Sequence, residues 1–283
     1  LHLLSRRQRQ MCIRDRAEPV DVNAFRISDF VCPHPEETTA YVVYMLEHMA
    51  EIAAELGKKD DEKLYKKYAD RARTGYRRLV QTKKYSYDTD RQAKLVRPLY
   101  MNLLTGEQRE FAQKRLLKAL DNYGWRLGTG FLSTPFILYV LADMNIEYAY
   151  RLLENEEMPG WLFMPKMGAN TIWESWEGTK AQGGVASLNH YSKGAVCEWL
   201  FGEMCGIKVA GENKFVVAPK PGGSLTYAKA EYQSVYGKVA CGWQKTEKGC
   251  IYAVTIPSNC KAEILLPNGE SHSVEAGKYT YSI

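Results

Sequence analysis

Residues 36–56, EETTAYVVYMLEHMAEIAAEL, decide the fold. Apolar residues recur there at three- and four-residue steps, the period of a helix with one buried face, and the run stops at Gly57, a helix C-terminal signal. A second helix begins after Asp60-Asp61, whose carboxylates suit a helix N-terminus, and carries Leu64, Tyr68, Ala72 and Leu79 on one side. The pair predicts a helical hairpin. Further helical segments follow at about 91–104, 107–122, 132–143, 145–154 and 187–204, with short connections marked by Gly, Pro or Asp.

From Ile207 onward the period changes. Phe215-Val216-Val217, Ser224–Glu231, Lys238–Trp243, Ile251–Ile256 and Ala262–Leu266 are short runs rich in β-branched and aromatic residues. Turn material such as Pro221-Gly222-Gly223, Pro257-Ser258-Asn259 and Pro267-Asn268-Gly269 separates them. The expected fold class is therefore mainly α with a C-terminal all-β domain: a helical toroid of the (α/α)-barrel kind, then an antiparallel β-sandwich. Fold alone leaves the chemistry open.

The formal net charge of +5 invites a nucleic-acid reading, but +4 of it sits in residues 1–16, LHLLSRRQRQMCIRDR. The remaining chain, with 33 basic and 32 acidic groups, is nearly neutral, so no nucleic-acid partner is expected. RRQRQMCIRDR resembles translated sequencing-adapter DNA; residues 1–16 are read as a non-native tail, and the natural N-terminus as missing. The expected domains are 17–206, helical, and 207–283, β. No apolar run is long enough to span a bilayer, so no membrane partner is expected. Setting Cys12 aside, six scattered cysteines without metal-like spacing read as reduced, packed thiols, which favours a cytoplasmic location over a periplasmic or secreted one. No metal and no cofactor is expected.

The chemistry concentrates in residues 159–189, PGWLFMPKMGANTIWESWEGTKAQGGVASLN, continuing into His190-Tyr191. Trp173, Glu174, Trp176 and Glu177 fall within five residues between Gly168 and Gly178, and a histidine follows a glycine-containing loop. Glycosidases use this mixture: aromatic faces stack on sugar rings, a carboxylate handles water at the anomeric carbon, and a histidine hydrogen-bonds a hydroxyl. Of the two tryptophans, three residues apart, Trp173 is favoured for the site; Glu177 reads as a solvated neighbour, and Trp199, Leu200 and Met204 as core.

Several motifs then carry a resemblance. Thr171-Ile172-Trp173-Glu174-Ser175-Trp176, Ser187-Leu188-Asn189-His190-Tyr191, Gly194-Ala195-Val196-Cys197-Glu198-Trp199-Leu200 and, upstream, Gly128-Thr129-Gly130-Phe131-Leu132-Ser133-Thr134-Pro135 occur in order. Together they resemble glycoside hydrolase family 78, the inverting α-L-rhamnosidases, from about residue 36 to the end; Ala218–Gly223 and the sheet after it look like the family's C-terminal β-domain. The resemblance implies a partial (α/α)6 barrel followed by a β-sandwich. It makes Glu174 the catalytic general base, with Trp173, His190, Trp161 and Phe131 binding substrate.

Family members place the general acid in an Asp-Cys-Pro-x-Arg-x-Glu stretch ahead of this region. Asp29-Phe30-Val31-Cys32-Pro33-His34-Pro35-Glu36 shares only Cys-Pro and lacks the arginine, so the acid is expected upstream of the chain. Ser133, where the family usually has glycine, and Asp90-Arg91-Gln92 are further departures. The expected partner is a rhamnose-containing glycan or glycoside. An open toroid also exposes apolar helix faces, which suit association into a homo-oligomer. Two alternatives stay open: a catalytically incomplete carbohydrate-binding or scaffold fragment, and an (α/α)-barrel glycosidase acting on another sugar.

Overall fold

The structure, a computed structural model, describes residues 35–83, 86–180 and 186–283. The charged tail, Cys12, Cys32 and nearly all of the Cys-Pro segment lie outside them. The chain forms two compact units: the described residues up to Met144 with Asn155–Lys193, and Asn145–Glu154 with Gly194–Ile283.

In the first unit, α1 (Pro35–Glu55) and α2 (Lys59–Leu79) form the expected hairpin. Small side chains line the buried face of α1, where Ala40, Val43, Ala50 and Ala53 are closed off from solvent. Gly57, at φ 69°, ends the helix: its N–H donates to Ala54 and that of Lys58 to Ala53, satisfying carbonyls the helix leaves over. The opposite side of α1 exposes Val42, Met45, Met49 and Ile52.

Next come α3 (Gln92–Tyr100), α4 (Gly106–Asn122) and α5 (Thr134–Met144), with α3 packed on both of the others. The expected helix over 91–104 ends at Tyr100, because Asn102 turns into the left-handed region at φ 50°. A capping box of Thr105 and Gln108 starts α4.

The second unit opens with α6 (Ile146–Leu153), whose Tyr150 is fully buried and donates its hydroxyl to the Lys220 carbonyl at 2.7 Å. Eight strands follow: β1 (Ile207–Gly211), β2 (Lys214–Val217), β3 (Tyr227–Ser234), β4 (Gly237–Thr246), β5 (Gly249–Ile256), β6 (Lys261–Leu265), β7 (Ser271–Val274) and β8 (Gly277–Ser282). They build two sheets, ordered β1-β2-β6-β7 and β3-β4-β5-β8. The sandwich is not wholly antiparallel, since β2 and β6 pair in parallel, Lys214 opposite Lys261 and Val217 opposite Ile264. Between those strands the chain builds β3, β4 and β5 of the other sheet, a detour long enough for the return that parallel neighbours need. Alternating residues such as Tyr252, Val254 and Ile256 of β5 and Ala262 and Ile264 of β6 point into the core.

The segment expected as one helix over 187–204 is broken instead. It forms single α-turns at Tyr191–Gly194 and Val196–Trp199 and then a π-turn at Leu200–Met204. The break falls where the Lys193 carbonyl, which a continuous helix would turn toward its own backbone, accepts the indole N–H of Trp161. All five described cysteines are free thiols: Cys205, Cys241 and Cys260 buried, Cys250 half-buried and Cys197 exposed.

Among the described residues no helix is long and apolar enough to cross a membrane, and no group of three His, Cys, Asp or Glu is placed to hold a metal ion.

Candidate active site

The site stretch has little regular structure and is held by specific bonds. After Trp161 comes one helical turn, α7 (Phe163–Lys166), whose Met164 is fully buried and accepts the Trp173 N–H on sulfur at 3.3 Å. The chain then pairs with itself. His190 N–H donates to the Ile172 carbonyl at 2.8 Å, Glu174 N–H to the Ser187 carbonyl at 2.9 Å, and the Thr171 hydroxyl to the Leu188 carbonyl. This brings the Trp-Glu-x-Trp and Asn-His-Tyr motifs side by side.

Glu174 is 2% exposed, unusual for a carboxylate. Its Oε2 accepts the Ser187 N–H at 3.1 Å, so Ser187 clasps both the backbone and the side chain of Glu174. Trp173, 9% exposed, lies against Gly178, which sits at φ 53°. A Cβ at 178 would fall 2.3 Å from the Trp173 ring, so only glycine lets backbone and indole approach so closely. Trp176 is half-buried, and Glu177, exposed, accepts a hydrogen bond from the Ser175 hydroxyl.

The centre of this arrangement is Lys193, which sequence reasoning missed. It is 5% exposed, and its ammonium donates to the Glu174 carbonyl, reaches the Trp173 carbonyl at 3.5 Å and sits 3.8 Å from the centroid of the Trp176 ring. Burial pushes its pKa down to about 7, against the pull of the Glu177 and Glu174 carboxylates. Trp161, 4% exposed, joins through the same residue, its indole N–H donating to the Lys193 carbonyl at 2.9 Å.

His190 belongs to an aromatic group beside this core. Its ring stacks on Tyr191 at 5.3 Å, and Phe131 meets both edge-on, at 6.1 Å from His190 and 4.9 Å from Tyr191. Tyr191 is 71% exposed. Because Nδ1 of His190 accepts the Ser192 N–H at 3.2 Å, the neutral ring carries its hydrogen on Nε2, a donor suited to a sugar hydroxyl.

Polar clamps shape the loop bearing Phe131. Gln92 accepts the Gly128 N–H at 2.8 Å and donates to the Arg126 carbonyl at 2.9 Å. Ser133 is fully buried, and its hydroxyl accepts Arg97 Nη1 at 3.1 Å, so the side chain that departs from the family's glycine has a bonded place. The structure thus brings Phe131 to His190, Trp161 to Lys193, and Lys193 to the Trp173–Glu174 run. Lys193 carried no signal in the sequence, and Ser187 and Gln92 entered only as part of motif strings, without the roles they play here.

Comparisons with known proteins bear on what this arrangement does. Residues 28–204 match the family model described as bacterial alpha-L-rhamnosidase 6 hairpin glycosidase domain, and residues 208–280 the bacterial alpha-L-rhamnosidase C-terminal domain. An alpha-L-rhamnosidase of Streptomyces avermitilis is 34% identical over 237 residues, covering 81% of this chain and 23% of that protein. One from Formosa agariphila is 32% identical over 282 residues, covering 92% of this chain and 30% of that protein. The crystal structure of the Streptomyces avermitilis enzyme complexed with L-rhamnose is similar with a TM-score of 0.76 at 30% identity, covering 87% of this chain and 26% of that one. The chain therefore spans less than a third of the length of these relatives.

Proposed function

The chain belongs to the bacterial alpha-L-rhamnosidase family, and from that premise we propose that the protein takes part in hydrolysing terminal α-L-rhamnose from glycans or glycosides, with Glu174 as the general base. The observation that carries the reading is the Glu174 carboxylate. It is enclosed in a family-matching chain, clasped by Ser187, and set beside Trp173 and the segment bearing His190.

In the proposed single displacement, water attacks the anomeric carbon from the face opposite the aglycone while Glu174 takes one of its protons. The bond from that carbon to the aglycone oxygen breaks, and the oxygen receives a proton from a general acid. That acid is expected outside the described residues. In such inverting sites the two carboxyl groups stand roughly 6.5–9.5 Å apart, leaving room for the water. His190 Nε2 and the faces of Phe131, Trp161 and Trp173 are the proposed contacts with the sugar.

The test is Glu174→Gln in the full-length protein. Hydrolysis of an aryl α-L-rhamnoside should fall by about 10²–10⁴-fold while rhamnose binding, measured by calorimetry, stays near the wild-type value. Normal turnover in that variant overturns the assignment. Proton NMR of the first-formed sugar reads the stereochemistry: the β anomer supports inversion, and the α anomer rules it out.

A further inference from the structure

We infer that Lys193 is a positioning residue for this reaction: its enclosed ammonium ties the Trp173 and Glu174 backbone to the face of Trp176 and thereby fixes the Glu174 carboxylate. The inference rests on the reading of Glu174 as the base.

A lysine head group has three hydrogens to place and a charge that resists leaving water. Here the placements are the Glu174 carbonyl, the Trp173 carbonyl at 3.5 Å and the electron-rich ring of Trp176 at 3.8 Å. Both carbonyls belong to the residues whose side chains the proposed reaction uses. The backbone of Lys193 anchors as well, since its carbonyl accepts the Trp161 indole N–H. One residue therefore ties three tryptophans and the base together, beside the backbone pairing of Ile172 with His190 and of Glu174 with Ser187.

Charge adds a second effect. The charged groups acting on Lys193 are the carboxylates of Glu177 and Glu174. With its pKa lowered to about 7 by burial, the side chain is an ammonium throughout the acid range in which carboxylates titrate. Removing it takes a cation away from the neighbourhood of the Glu174 carboxylate.

Lys193→Met in the full-length protein is the test. Turnover of an aryl rhamnoside should fall roughly 10- to 100-fold with little change in KM, the signature of a displaced catalytic group rather than a lost binding contact. The acidic limb of the kcat/KM profile should move to higher pH, as expected when a nearby cation is lost. A loss of packing alone would not move that limb. Wild-type kcat and pH profile in Lys193→Met overturn the inference. If Lys193→Met does not fold, Lys193→Gln, which keeps donors for the carbonyls but no charge, should shift the limb the same way with a smaller loss of turnover; an unshifted limb there overturns the inference equally. Glu174→Gln run in parallel separates the two readings. If it stays active, the base assignment falls and this inference with it; if it is inactive while the Lys193 variants behave as wild type, only the positioning role falls.

Discussion

The stretch from Trp161 to Lys193 and the eight-stranded unit both bury large aromatic side chains, but they hold their shapes differently. In the sheets, β4 pairs residue by residue with β3 and β5, and Trp243 lies opposite both Ala228 and Tyr252. Losing one side chain there removes packing while the ladder keeps the register. In the site stretch the holds come from individual groups: the Ser187 amide on the Glu174 carboxylate, Gly178 against Trp173, the Lys193 ammonium on two carbonyls. The difference teaches where a substitution should register as lost stability and where as lost chemistry.

The largest stability effect should therefore lie in the sheets. Trp243 is 2% exposed and donates its indole N–H to the Met204 carbonyl at 2.8 Å. Trp243→Ala should cost about 3–5 kcal/mol in denaturant unfolding. A cost well below that range would break the comparison, by showing that the sandwich core does not depend on this ring. Gly178→Ala comes next. It combines a left-handed φ of 53° with a Cβ 2.3 Å from the Trp173 ring, and should cost about 2–3 kcal/mol while lowering turnover more than that loss of stability explains. Unchanged kinetics in a folded Gly178→Ala would show that the position of Trp173 does not matter to the reaction.

The smallest effect sharpens the contrast through pH. Lys193 binds its proton less tightly in the folded chain, at about 7, than in the unfolded one, near its ordinary value of 10.5. Between those values the unfolded state holds more protons, so raising the pH favours the fold, and below about 7 the full cost of burying the cation is felt. Wild type should therefore gain about 2 kcal/mol on Lys193→Met between about pH 7 and pH 9. A pH-independent difference between the two would show that Lys193 is not a buried cation.

Much of this architecture was legible because local pattern and tertiary role agree. The α1 and α2 hairpin follows from apolar spacing, Gly57 and the acids at the start of α2. The strands that went unread, β1, β7 and β8, all lie at sheet edges, and apart from the buried Ile207 their positions are exposed or half-buried, which leaves a weak hydrophobic signature. Glu174 and His190 stood out through motif and order. Lys193 did not, since a lone lysine beside Ser192 and Gly194 reads as a solvated side chain, and only the fold of the stretch over it encloses it. The break of the expected helix over 187–204 was hidden for a related reason: the Trp161 indole that takes the Lys193 carbonyl comes from 32 positions earlier in the chain.

The free thiols differ in what they offer a chemical probe. Burial pushes Cys205 up to about 11 and Cys241 up to about 12, so neither holds much thiolate at neutral pH, and Cys260 is closed off from solvent. Cys197 is exposed, four positions beyond Lys193 in the chain. Among the described thiols a maleimide dye should reach Cys197 first, giving a fluorescent reporter next in sequence to the candidate site without any engineered cysteine.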